Sequence, residues 1–122
     1  MKIVYIAHPF HGTCGRYSLK DNFDDVKLIC CKIIKNKPEV LPLSPVHLFS
    51  FLDARDEKEN EKALDLCERL IPLCDEVWFF DSSPWVRGGV TWMESRGCIK
   101  EHRTALSRGV QVCNGREMLA HE

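Results

Sequence analysis

The 122-residue chain balances Lys and Arg against Asp and Glu to a formal net charge of −1. That balance argues against a nucleic-acid binder, whose affinity would need a basic face. An apolar fraction of 44% and a charged fraction of 29% fit one globular domain with a real core, and the length leaves no room for two.

The opening Lys2–Ala7 (KIVYIA) reads as a strand, with Ile3, Val4, Tyr5 and Ile6 apolar. Met1 leads straight into it, so no signal peptide is expected. No apolar run approaches the roughly 20 residues of a membrane span, so no membrane partner is expected either. Seven cysteines without a CxxC pair argue against zinc and for a reducing, cytoplasmic setting. Cys30, Cys31, Cys67 and Cys74 lie among apolar residues, where a thiol acts as a small hydrophobe.

The strand ends at His8-Pro9-Phe10-His11-Gly12, a turn with both Pro and Gly. The next residues, GTCGRYS, have two glycines but neither the lysine nor the spacing of a P-loop; they read as a connector or as a weak phosphate motif. His8 and His11 are ligands, general acids or ordinary loop histidines, and without a third partner at metal spacing no metal site is expected.

Helical spacing of Phe23, Val26, Ile29, Cys30, Ile33 and Ile34 predicts a helix from about Ser18 to Asn36 facing a sheet. Asn22 lies near its start, at the ligand end of a parallel sheet. After Pro38 comes a short strand reaching Leu43, in which Pro42 marks an edge or terminal position. Pro45–Leu52, which includes His47, is an apolar segment that forms a pocket wall or packs on the next helix. Charged residues 54–60 open a helix to about Ile71 with Ala63, Leu64, Cys67, Leu70 and Ile71 on its apolar face. Pro72 helps to end it.

Val77–Phe80 is too short for an ordinary helix and reads as a buried central strand. In the loop Asp81–Glu94, Trp85 and Trp92 either stack on a base, with Arg87 or Arg96 on phosphate, or pack over the core or a subunit contact. Ser95 offers an N-cap to a helix that carries Gly97, Cys98 and Glu101 and stops at Gly109. Glu101 there faces a ligand at a helix N-terminus, or merely complements the helix dipole or faces water. Val110–Val112 is the last strand of a domain spanning residues 1–112, and residues 113–122 form a tail, helical or disordered. The alternation of strands and helices predicts a parallel sheet, with ligands gathered beyond the carboxyl ends of its strands.

Four segments, KIVYIAHPFHG, LSPVHLFSFL, LDLCERLIPLCDEVWFF and SRGCIKEHRTALSRGVQV, resemble in order and spacing the nucleoside 2-deoxyribosyltransferase-like family, including a small branch of it. The likeness covers most of residues 1–112. It implies an α/β, three-layer Rossmann/flavodoxin-like domain with a parallel sheet of four to five strands. It also implies an enzyme acting on the N-glycosidic bond of nucleosides or nucleotides, a deoxyribosyltransferase or N-glycosidase, through a glutamate nucleophile. The family's G-x-x-x-E pattern falls on Gly97 and Glu101; Glu94, in WMESR, has no glycine four residues before it.

Ser95 stands where the transferases often carry a ligand-binding aspartate, Phe10 near an aromatic position that would bring a hydroxyl as tyrosine, and Cys67 near a second carboxylate. The expected substrate contacts are His8, Phe10, Gly12, Asn22, His47, Ser95, Gly97 and Cys98. The implied partner is a nucleoside, nucleotide or ribosyl derivative, with no cofactor. A homo-oligomer is expected, because related enzymes complete their sites across subunits and Trp85, Val86, Val90 and Trp92 offer apolar surface. The replacements at Cys67 and Phe10 leave open a non-catalytic binder that senses or sequesters a nucleotide-derived molecule; the loop leaves open an interaction protein that uses only the fold.

Overall fold

A computed structural model describes residues 1–120. Its elements are β1 (Lys2–Ala7), α1 (Arg16–Asn36), β2 (Val40–Leu43), α2 (Pro45–Leu48), α3 (Glu57–Leu70), β3 (Glu76–Phe79), α4 (Arg96–Ser107), β4 (Gln111–Asn114) and α5 (Gly115–Ala120). All strand pairs are parallel, in the order β2-β1-β3-β4. This is a three-layer α/β domain of the Rossmann/flavodoxin type, with four strands and five helices.

The alternation along β1 and β3 builds the two cores. Tyr5, Ala7, Val77 and Phe79 point to one face and meet Cys67 on α3, Ile71 just after it, and Cys98 and Ala105 on α4. Val4, Ile6, Trp78 and Phe80 point to the other and meet Val26, Ile29 and Ile33 on α1, with Met118 and Leu119 of α5 packed alongside. Both strands lie inside the sheet and are buried on both faces, which is why their sequences read as continuous apolar runs. Pro42 lies on β2, at the sheet edge, where its missing N–H leaves no ladder bond unmade.

Several boundaries and burial expectations are corrected. The central strand starts one residue early, at Glu76, although the Phe80 N–H still bonds to the Ala7 carbonyl. Ile34 is exposed, since the apolar stripe of α1 narrows to Val26, Ile29 and Ile33. Cys31 is also exposed, and only Cys67 and Cys74 of the four expected core thiols are buried. The last strand reaches Asn114, and the tail beyond it turns into α5. Gly115 sits flat against the Phe80 ring, where a Cβ would collide with it. Through Gly115, Met118 and Leu119 the tail packs onto the core; residues 121–122 lie outside the described residues. No described helix is long and apolar enough to cross a membrane.

From β1 the chain runs outward to β2, then returns past β1 to β3. Connections leaving the carboxyl ends of β1 and β3 therefore diverge to opposite sides, and a crevice opens between them.

Candidate functional site

A cavity of about 600 Å³ lies in that crevice, bounded by the loop after β1, the segment Pro45–Ala54, the first half of α3 and the start of α4. Its size is that of a small-molecule site, and its walls are largely apolar: Phe10, Phe49, Leu52, Ala63 and Leu64 are among them.

Glu101 lies at the inner end. Ser95 caps α4 by accepting the Cys98 N–H at 3.3 Å, which sets the first turn; Cys98 and Glu101 then face β1. The Glu101 carboxylate is buried, borders the cavity, and accepts the Tyr5 hydroxyl from the middle of β1. Burial raises its pKa from 4.5 to about 7, and hydrogen bonds from Tyr5 and the Cys98 thiol offset only part of that rise. Burial, and next the Glu101 charge, hold the Tyr5 hydroxyl well above its ordinary range, so Tyr5 remains a donor. Cys67 borders the same end, its thiol pushed up to about 12 by burial and by Glu101. Gly97 lets α3 approach: a Cβ there would stand 3.3 Å from the Leu64 Cδ2.

The opposite wall hangs from α1. Its sheet-facing stripe is apolar in the second half but polar in the first: Ser18, Asp21, Asn22 and Asp25 are all buried. Each grips a loop. Asn22 donates to the Phe10 carbonyl at 2.9 Å and accepts from Ser82 at 2.7 Å. Asp25 accepts from His8 Nε2 and from both the N–H and hydroxyl of Ser83, at 2.7–2.9 Å. Burial pushes the Asp25 carboxyl up, but the bonds from His8 and Ser83 outweigh it and the net direction is down. Asp21 takes Arg87 through Nε, Nη2 and the backbone N–H, and those bonds hold its carboxyl at about 2. The loop 82–88 is thereby fastened to α1. Gly12 and Gly88 pass so closely that a Cβ on Gly12 would strike the Gly88 carbonyl and Ser18.

Of the expected contacts, Phe10, Gly12, Ser95, Gly97, Cys98 and Glu101 come together around the cavity. His8 borders it, but its ring is wholly buried and turned to Asp25 and the Pro9 carbonyl. Two expectations are corrected. Asn22 does not border the cavity, because both ends of its amide are spent on Phe10 and Ser82. His47 faces away from it, with its ring 3.9 Å from that of Phe23 and Nδ1 bonded to Ser44. Burial, and next Lys27, lower the pKa of His47.

Trp92 packs against Phe79 and His102, and neither it nor Trp85 borders the cavity. Arg87 is held by Asp21, whereas Arg96 borders the cavity and pairs with Glu61 at 2.5 Å. Glu94 reaches the cavity edge, but its carboxylate closes a capping box with Thr91, which holds its pKa below the ordinary value. Tyr5 was missed by sequence reasoning, although period-two alternation along KIVYIA places it on the α4 face. Among the described residues, no three His, Cys, Asp or Glu side chains group as a metal would need.

A family model described as Domain of unknown function (DUF7768) matches residues 2–113. No curated protein matches the chain.

Proposed function

The chain belongs to the DUF7768 family, described as a domain of unknown function, and we propose that it acts on the N-glycosidic bond of a nucleoside or nucleotide with Glu101 as nucleophile. One observation carries this reading. A single buried carboxylate, held by neutral donors, closes the inner end of an apolar cavity of ligand size. A desolvated carboxylate gains most when positive charge develops against it, as it does on a sugar whose C1′–N bond is breaking.

In this mechanism an oxygen of ionised Glu101 bonds to C1′ as the bond to the base breaks, and the electron pair leaves with the base. Water or an acceptor base then attacks C1′ and frees the carboxylate, which makes the enzyme a hydrolase or a transferase. Tyr5 fixes the carboxylate and offsets part of its desolvation. The resemblance of G-C-I-K-E to the nucleophile segment of the nucleoside 2-deoxyribosyltransferase-like proteins supports the same role. The cavity walls Phe10 and Phe49 suit a base or sugar face.

A second reading, a binder that senses or sequesters a nucleotide-derived molecule, is favoured by the surroundings of Glu101. Its close neighbours Tyr5, Cys67 and Cys98 are all neutral, with no second carboxylate among them. The deciding experiment incubates the protein with nucleosides, nucleotides and dinucleotide derivatives and follows free base by chromatography. Base release that disappears in Glu101→Gln supports the enzyme. Retention of an intact ligand favours the binder. Release that Glu101→Gln leaves unchanged overturns the catalytic reading.

A further inference from the structure

Departure of an ordinary nucleobase requires a proton, and Glu101, engaged at C1′, does not supply it. We propose that His11, oriented by Asn60, is the general acid–base residue that protonates the departing base and deprotonates the incoming nucleophile. This rests on the N-glycosidic reading of the cavity.

The argument is one of position. The inner end of the cavity is closed by Glu101, Cys98 and Cys67, so a nucleoside seated with C1′ at Glu101 must extend its base toward the open side. There stand His11, on the loop after β1, and Asn60, on the first turn of α3. His11 Nε2 donates to Asn60 Oδ1 at 3.3 Å, which leaves Nδ1 to exchange a proton with a ligand. The Phe10 ring lies 6.0 Å from that of His11, so an apolar wall for the base and a proton-transfer group sit side by side.

Among the described residues, the other histidines and the charged side chains that share the open side of the cavity are engaged by other partners. The His8 ring is buried against Asp25, the His47 ring lies on Phe23, and His102 packs against Trp92 and Phe79. Glu94 is tied to Thr91, Glu59 accepts the Asp53 N–H, and Arg96 is paired with Glu61. Imidazole is also the side chain most often used for such transfers near neutral pH.

The step balances. A Glu101 oxygen bonds to C1′, and the C1′–N bond breaks with its electron pair going to the base. The His11 imidazolium gives its proton to a base nitrogen and becomes neutral. In the return step, water or an acceptor base attacks C1′, passes its proton to His11 and releases Glu101 as carboxylate.

The test exploits leaving groups. Deoxyadenosine must be protonated to leave, whereas N7-methyldeoxyguanosine carries a cationic ring that leaves as a neutral base. Wild type, His11→Gln and Glu101→Gln are compared on both, with base release followed by chromatography. His11→Gln is expected to lower kcat on deoxyadenosine by about 10²–10⁴-fold while changing the N7-methyl substrate by no more than a few-fold. Glu101→Gln is expected to abolish both. Equal losses on the two substrates in His11→Gln, or none, overturn the role of His11 and leave the Glu101 chemistry standing. Release by wild type from neither of these substrates nor from any nucleoside or nucleotide of the wider panel overturns both, and circular dichroism of His11→Gln, an exposed position, confirms that the variant is folded.

Discussion

Replacing Glu101 by Gln should stabilise the fold at alkaline pH while removing its chemistry. The folded chain holds the Glu101 proton up to about pH 7, the unfolded chain only to about 4.5. Between those values the folded state binds more protons, so stability falls as pH rises through the window, and above it the full penalty of a buried charge remains. At about 1.4 kcal/mol for each pH unit, the gap corresponds to about 3 kcal/mol. Gln is neutral, nearly the same size and still accepts from Tyr5, so it avoids that penalty without opening a cavity. Thermal melts at pH 5 and pH 8.5 provide the assay. For a domain of this length the variant should melt roughly 10 °C above wild type at the higher pH, with the two nearly equal at the lower. The same substitution should abolish base release. A variant destabilised equally at both pH values would refute the raised pKa, and with it the view of Glu101 as a desolvated carboxylate kept for function.

Four further outcomes follow from the same geometry. Tyr5→Phe removes the donor that favours ionised Glu101, so the acid limb of the pH–rate profile should move above pH 7; a fixed limb would show that Tyr5 does not act on the carboxylate. Asp25→Ala strands His8 and both Ser83 donors and should cost about 3–5 kcal/mol in urea denaturation, whereas a loss below about 1 kcal/mol would mean that the network relaxes or fills with water. Gly12→Ala should cost about 1–3 kcal/mol and weaken ligand binding, because the methyl meets the Gly88 carbonyl and forces apart the backbone that holds Gly12 at the cavity. Homo-oligomerisation through the loop now rests on Trp85, since Val86 is buried, Val90 borders the cavity and Trp92 packs on the core; a dimer by light scattering should dissociate on Trp85→Ser, and a wild-type monomer at high micromolar concentration would end the proposal.

The sheet was readable from the chain because continuous apolar strands and 3.6-residue stripes are strong, local signals. KIVYIA and VWFF announced two inner strands, and Pro42 announced the edge. The capped, glycine-bearing start of α4 left Glu101 open between a ligand and the helix dipole, and it was the likeness of G-C-I-K-E to the resembled family's nucleophile segment that singled out Gly97 and Glu101. What stayed hidden was the direction of side chains on polar stretches. Asn22 and His47 sit in the right segments, yet their rings and amides turn to Phe10, Ser82 and Phe23, which no spacing rule predicts. Asp21 and Asp25 gave no signal in the sequence, because only the apolar half of the stripe carries a hydrophobic pattern. Their partners Ser83 and Arg87 lie 58 and 66 positions away in sequence, in a loop without periodicity.

The placement of buried polar groups is itself an argument for a site. Among the described residues, and apart from Glu76, which bonds to Lys2 and Trp78 at the amino end of β3, the buried polar residues are His8, Ser18, Asp21, Asn22, Asp25 and Glu101. All six stand around the carboxyl ends of β1 and β3, or on the half of α1 that faces them. A fold selected for stability alone would fill these positions with apolar residues, as the second half of α1 does with Val26, Ile29 and Ile33. Five of the six are satisfied by hydrogen bonds that lock the loops after β1 and β3 to α1. Glu101 differs: its partners are weak beside its desolvation, and its open side is the cavity. The five build a rigid wall, and the sixth is left with electrostatic capacity to spend on whatever enters.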